Sequence, residues 1–250
     1  MRVRLARGRL MEIMVLGRPM VHIGGNGLRP LRRMARVLLG LFALRPNRPL
    51  SLEWLINGLW PTKPPASAAA NVRSHIAELR RLLAGGDKPS IETLDDGYML
   101  VTAPHGVDAL LFRELVAQAR KHTGLDAARL LTQAVGLWRG DVLEGVPIPA
   151  ALEAEAAMLE DLRMSATEEL VEVRMSLGHE QDLVPILKGL VIEHPLRERL
   201  WHQLLLALWS TGRRSEVLEE YQRLWSLLDR ELGVRPAQAT TELNELARRG

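Results

Sequence analysis

Apolar residues recur along this chain at two different spacings, and the change from one to the other marks out its elements. Residues 9–16 (RLMEIMVL) and 19–23 (PMVHI) alternate partially between apolar and polar, which predicts two short strands around the turn residues Gly17 and Arg18. Gly24-Gly25-Asn26-Gly27 breaks that pattern. The next stretch, LRRMARVLLGLFAL, carries Met34, Val37, Leu38, Leu41 and Leu44 at helical spacing and is closed by Pro46 and Pro49. Ser51 suits the N-cap of a second helix, LEWLINGLW, with Leu52, Leu55, Ile56 and Leu59 on one stripe and Pro61, Pro64 and Pro65 after it. A third helix is predicted over 67–84 (SAAANVRSHIAELRRLLA), ended by Gly85-Gly86. Behind it SIETL and YMLVT flank Asp95-Asp96-Gly97, a strand–turn–strand.

Ala103-Pro104-His105-Gly106 marks a shift in composition, and the domain boundary is placed there, giving domains 1–104 and 105–250. No segment beyond it reads well as a strand. Helices are predicted over 108–121, 126–138, 149–177, 180–193, 197–211, 214–231 and 236–248, with breaks at Gly124, Gly140, Pro147, Gly178, Pro195, Gly212 and Gly233. A repeat runs through this half. Leu170, Gly178, Leu183, Leu187 and Leu190 recur 34 residues later as Leu204, Gly212, Val217, Tyr221 and Leu224. That period belongs to tetratricopeptide helix hairpins, which stack because a lone pair cannot bury its apolar face. The consensus tryptophan is missing from both copies, so the repeats are degenerate. The fold class is therefore mainly α with small β elements: an N-terminal winged helix-turn-helix, then an all-α tetratricopeptide-like repeat domain.

Charge divides along the same line. Residues 1–104 hold 16 Lys and Arg against 7 Asp and Glu, a net of +9; residues 105–250 hold 17 against 23, a net of −6. A basic module joined to an acidic one is the footprint of a nucleic-acid binder coupled to a module with another task. The chain has no cysteine, which excludes disulfides, thiolate zinc sites and cysteine nucleophiles. The basic N-terminus lacks the apolar run of a signal peptide, and no stretch is long enough to span a membrane, so a cytoplasmic, nucleoid-associated protein is expected.

No catalytic constellation is present, and neither a cofactor nor a metal is expected. GGNG follows a strand but lacks the Gly-Lys-Ser/Thr of a phosphate loop. The histidines are scattered, without ligand spacing. Asp95-Asp96 beside Gly97 reads as a tight turn. The carboxylates of 153–172 (Glu153, Glu155, Glu160, Asp161, Glu168, Glu169, Glu172) read as a solvated helix face or an acidic docking surface, and the six tryptophans as core.

A basic helix followed at once by a hairpin is how winged-helix proteins hold DNA, the helix in the major groove and the hairpin against the neighbouring backbone. At about 100° per residue, Val72, Ile76, Leu79 and Leu83 share the inner face of the third helix. His75 flanks that face, and Arg73, Ser74, Ala77, Glu78 and Arg81 turn toward the groove. Arg73, Ser74 and Glu78 are assigned to base reading: Arg73 suits guanine O6 and N7, and Glu78 accepts from cytosine N4. Arg80, Arg81 and His75, with Lys63 and Ser67, are assigned to the DNA backbone. Asn71 and the hairpin residues Gly97 and Tyr98 complete the DNA-binding set. On the residues alone two other readings stay open, a repeat-based interaction scaffold and a ligand-responsive repressor.

MEIMVLG, PNRPLSLEWLINGLWPTKPPASAAANVRSHIAELRRLL and GYMLV resemble an OmpR-type winged helix. VDALLFRELVAQAR, AVGLWRGDVL, LGHEQDLVPILKGLVIEHPLRERLWHQLLLALWSTGRRSEVLEEYQRL and LDRELGVRPA resemble the bacterial transcriptional activation domain. Together, from Met11 to about Leu246, they resemble the Streptomyces antibiotic regulatory protein (SARP) family. The resemblance implies a transcriptional activator without enzymatic activity. It implies binding to promoter direct repeats as a homodimer or cooperating protomers, and recruitment of RNA polymerase to a secondary-metabolite gene cluster. The length matches the small form of the family. Two features depart from its pattern. Met1–Leu10 stands as an extra basic arm, and Ala77 and Glu78 occupy positions where OmpR-type helices often carry arginine.

Overall fold

The structure, a computed structural model, describes residues 13–23, 27–29, 31–84 and 89–249. The basic arm Met1–Leu10, the Gly24–Asn26 part of the glycine cluster and the Gly85-Gly86 break lie outside the described residues. The chain divides into two compact units. One comprises Met1–Gln118 with Thr132–Met164, the other Ala119–Leu131 with Ser165–Gly250.

The first unit opens with an antiparallel sheet of β1 (Ile13–Met14), β2 (Met20–Ile23) and β3 (Gly27–Arg29), in which Ile13 faces Val21 and Val21 faces Arg29. Only two strands are expected from the sequence. Three residues are too few to establish an alternation, so β3 is recognisable only by its pairing. Helices α1 (Arg33–Leu44), α2 (Leu52–Leu59) and α3 (Ala68–Leu83) follow in the expected order. Ser51 caps α2 as its sequence suggests, its hydroxyl accepting from the Trp54 N–H at 3.1 Å. The three helices bury Leu38, Leu41 and Phe42 of α1, Leu55 of α2 and Ile76 and Leu79 of α3. Gly58 lets α2 lie close to α1, since a Cβ there would sit 2.8 Å from the Leu41 methyl groups. A second sheet, in the order β4-β6-β5, joins Leu50–Ser51 (β4) to the hairpin Ser90–Leu94 (β5) and Gly97–Val101 (β6), with Asp95 and Asp96 forming the turn.

This unit draws on residues well past Pro104. Val107 bridges Ile13, and Val142 bridges Leu16 and Gly17, single-residue pairings that no run of strand formers announces. Asp108, at the start of α4 (Asp108–Ala119), is buried beneath β1. Its carboxylate accepts from the Val15 N–H at 2.8 and 3.0 Å and from the Leu16 N–H at 3.0 Å. Arg139 reaches the same carboxylate at 3.2 Å, while the Arg139 and Leu143 N–H groups donate to the Leu16 and Val15 carbonyls, each at 3.0 Å. Burial pushes the Asp108 carboxyl up from 3.8 to about 6, outweighing the downward pull of these donors. Leu143 has a left-handed backbone (φ 57°), a conformation that costs a branched residue about 1–2 kcal/mol. Its buried side chain fills the notch left by Gly40 on α1, where a Cβ would lie 2.9 Å away.

The remaining helices are α5 (Gly124–Val135), α6 (Glu153–Ser176), α7 (Glu180–Glu193), α8 (Glu198–Ser210), α9 (Arg214–Leu232) and α10 (Gln238–Arg249). With α4 they match the seven helices expected, the largest shifts falling at the ends of α5 and at the start of α6. In the second unit the repeat is built from the C-terminal part of α6 with α7 and from α8 with α9, and its turns share two backbone bonds. At Gly178 (φ 82°) the glycine N–H donates to Met175 at 3.0 Å and the His179 N–H to Arg174 at 3.1 Å. Thirty-four residues on, at Gly212 (φ 73°), the same bonds run to Trp209 at 3.0 Å and from Arg213 to Leu208 at 2.9 Å. Both are left-handed caps that favour glycine. Leu170 and Leu204, Leu183 and Val217, and Leu187 and Tyr221 are buried in both copies.

Two expectations about side chains need correction. The α6 carboxylates are not a solvated face, for several are committed to protein partners. In the first unit Glu155 binds Arg45 at 2.5 Å and Glu160 accepts from the Val142 N–H at 2.9 Å. In the second, Glu169 binds Arg120 at 2.6 Å and Glu172 binds Arg199 at 2.5 Å. Nor are the tryptophans all core. Trp138 and Trp201 are buried, but Trp209 and Trp225 keep 36% and 38% of their surface exposed.

Candidate nucleic-acid interface

The inner stripe of the third helix is the one its wheel predicts. Val72, Ile76, Leu79 and Leu83 are buried, which fixes the helix rotation and leaves Arg73, Ser74, Ala77 and Arg81 exposed on one edge. Arg81 also leans back along the helix, its Nε 3.4 Å from the Ala77 carbonyl. Glu78 is half-buried, 3.7 Å from Nδ1 of His75 one turn earlier, so these two side chains share one flank.

At the N-terminal end Ser67 makes no side-chain bond to the helix backbone. The Asn71 side chain donates to its hydroxyl at 3.3 Å instead, and the Asn71 N–H meets its carbonyl at 2.9 Å. Lys63 is exposed in the proline-rich loop between α2 and α3. Pro64 and Pro65 restrict the backbone on the approach to α3, and Ser67 is exposed there as well.

The hairpin divides its candidate residues between two tasks. Gly97 is buried. A Cβ there would strike the Leu50 carbonyl, so glycine permits the close approach of β6 to β4. Tyr98 is half-buried and pairs with both Leu50 and Thr93. The Asp96 carbonyl accepts from the Leu52 N–H at 3.0 Å, and Asn47 bonds the Thr102 N–H at 2.9 Å and the Leu100 carbonyl at 2.7 Å. These contacts moor the hairpin to the helical core.

Arg80 differs from the other arginines of α3. Its Nε donates to the Ile91 carbonyl at 2.8 Å, its Nη2 donates to the Thr93 hydroxyl at 2.7 Å, and its guanidinium lies 5.8 Å from the Tyr98 ring. Sequence reasoning finds neither Thr93 nor this arrangement, because the wheel shows only where Arg80 leaves the helix and not what stands eleven to thirteen residues further on.

No helix among the described residues is long and apolar enough to cross a membrane. Two family models match the chain: the C-terminal domain of transcriptional regulatory proteins over residues 29–100, and the bacterial transcriptional activator domain over 107–247. Regulatory protein DnrI of Streptomyces peucetius is 33% identical over 240 residues, covering 91% of this chain and 88% of its own. The transcriptional regulator RedD of Streptomyces coelicolor is 32% identical over 243 residues, covering 92% of this chain and 68% of its own. The solved structure of Mycobacterium tuberculosis EmbR in complex with a low-affinity phosphopeptide superposes with a TM-score of 0.86 at 28% identity. It covers 96% of this chain and 65% of that one. With an OmpR-like winged helix, a tetratricopeptide-like helical half and relatives that are transcriptional regulators rather than enzymes, the chain belongs to the SARP family of transcriptional activators.

Proposed function

We propose that the protein binds direct repeats in promoter DNA, as a homodimer or as cooperating protomers, and recruits RNA polymerase to the genes of a secondary-metabolite cluster. Residues 1–104 make the DNA contacts and residues 105–250 the contacts with protein, in the cytoplasm and on the nucleoid. The observation that carries this reading is the outer edge of α3, where Arg73, Ser74 and Arg81 stand exposed above a fully buried apolar stripe. In a major groove Arg73 and Ser74 meet base edges and Glu78 accepts from a cytosine amine. Arg81, His75, Lys63, Ser67 and Asn71 face the backbone at the rim of the helix, and the hairpin residues Gly97 and Tyr98 bring the wing alongside.

The test is a footprint on the intergenic DNA beside the gene, at physiological salt with competitor DNA, read together with a promoter reporter. Protection of evenly spaced repeats with raised reporter output is the expected result. Absence of sequence-selective protection favours the interaction scaffold, and repression relieved by a metabolite favours the ligand-responsive repressor.

Two substitutions separate the roles on α3. Arg81→Ala is expected to weaken binding to all sequences alike and to reduce the slope of log K against log salt by about 1. An unchanged slope removes Arg81 from the phosphate set. Glu78→Ala is expected to relax preference at one base pair by about 1–3 kcal/mol, measured by competition among single-base variants of the site. If the preference stays put, Glu78 serves only its flank with His75.

A further inference from the structure

Arg80, exposed like Arg81, invites the same phosphate role, yet some of its donors already serve the wing. The Ile91 carbonyl and the Thr93 hydroxyl take two of them, at 2.8 and 2.7 Å, and the Tyr98 ring lies 5.8 Å from the cation. Ile91 and Thr93 lie on β5, and Tyr98 on β6 is the register partner of Thr93. One side chain of the recognition helix therefore engages both strands of the wing.

A guanidinium holds its N–H groups in a rigid plane, so two bonds to different acceptors fix the direction of the strand as well as its distance. Among the described residues the wing is also held by bonds at its turn and far end, through β4, Leu52 and Asn47, and by the buried Ile91 and Leu100 side chains. Strand β5 is at the edge of its sheet, and Arg80 adds two hydrogen bonds from α3 to that edge beside the buried Ile91 side chain. The Thr93 hydroxyl accepts from Arg80, so its own proton is left to donate elsewhere. Thr93 is exposed.

Resting on the DNA reading above, we infer that Arg80 is a positioning residue. It sets the wing at a fixed angle to the recognition helix and presents the Thr93 hydroxyl as a neutral donor to a DNA phosphate, instead of meeting phosphate with its own charge.

The test compares Arg80→Lys, Arg80→Ala, Thr93→Val and Thr93→Ser in the full chain, on the DNA protected by the wild type. Lysine keeps the charge and loses the fork. Arg80→Lys is therefore expected to bind about tenfold more weakly, close to Arg80→Ala, while keeping the wild-type salt slope. Thr93→Val should lose affinity and Thr93→Ser should retain it. The double variant Arg80→Lys/Thr93→Val should be no weaker than Arg80→Lys, because both changes remove one coupled contact. Wild-type affinity in Arg80→Lys, or additive losses in the double variant, overturns the inference. So does a slope reduced by about 1 in Arg80→Ala with full rescue by lysine, the signature of a direct phosphate ligand.

A second measurement does not depend on DNA. Amide exchange over Ile91–Val101 in the free protein is expected to quicken in both Arg80 variants while that of α1 stays unchanged. Unchanged wing exchange removes the tether. Quickened exchange in a protein that selects no DNA sequence leaves the tether standing and removes the DNA reading instead.

Discussion

A chain ended at Pro104 is expected to lose cooperative unfolding and selective DNA binding together, although it retains all three helices and the wing. Such a chain keeps every residue of the candidate interface. It discards Val107, Asp108, Arg139, Val142 and Leu143, which pair with, hydrogen-bond or cover the segment Ile13–Gly17 and the Gly40 notch. The Val15 and Leu16 N–H groups and carbonyls would then lose their partners, and the core residues Ile13, Val15 and Leu16 their cover. A chain ended after Met164 keeps the whole of this unit. Thermal melts and amide spectra of the two should differ sharply, with dispersed signals and a cooperative transition only for the longer one. Equal stability of the two would show that the contacts beyond Pro104 add little.

Replacing Asp108 alone should have the next largest effect. Asp108→Ala leaves two buried N–H groups and the Arg139 guanidinium without their acceptor, at a cost of about 3–5 kcal/mol in a denaturant titration. A loss below about 1 kcal/mol would mean that water enters and replaces the carboxylate. The same group carries a pH signature. Its carboxyl titrates at about 6 in the folded protein against an ordinary 3.8, so the folded state holds this proton more tightly than the unfolded chain does. Its contribution is therefore largest below pH 4 and falls away as pH rises through 6, by about 3 kcal/mol in all. Asp108→Asn should abolish that slope between pH 4 and 6, leaving the slopes due to other groups.

The elements that sequence alone reveals are those whose signal is local and repeated. The stripe Val72, Ile76, Leu79, Leu83 fixes both the existence and the rotation of α3, so the exposed edge with Arg73, Ser74 and Arg81 is legible without coordinates. The turn signals around Asp95-Asp96-Gly97 place the wing, and paired glycines with buried leucines place the helical repeats. What stays hidden depends on distant partners. Asp108 reads as an ordinary first-turn acid, because the N–H groups that donate to it lie 92 and 93 positions away. The α6 carboxylates look solvated for the same reason, since Arg45, Arg120 and Arg199 come from other elements. Arg80 is seen on the wheel as one more surface cation. Its acceptors are a backbone carbonyl and a threonine, groups whose placement only the folded hairpin supplies.

The matching turns at Gly178 and Gly212 make the helical half a modular ruler. Each joint is closed by the same two backbone bonds around a glycine with positive φ. Duplicating the 34 residues from one joint to the next reproduces both the joint and the buried leucine spacing. The reach of this half can therefore lengthen in whole steps of a helix pair, without redesign of the winged helix.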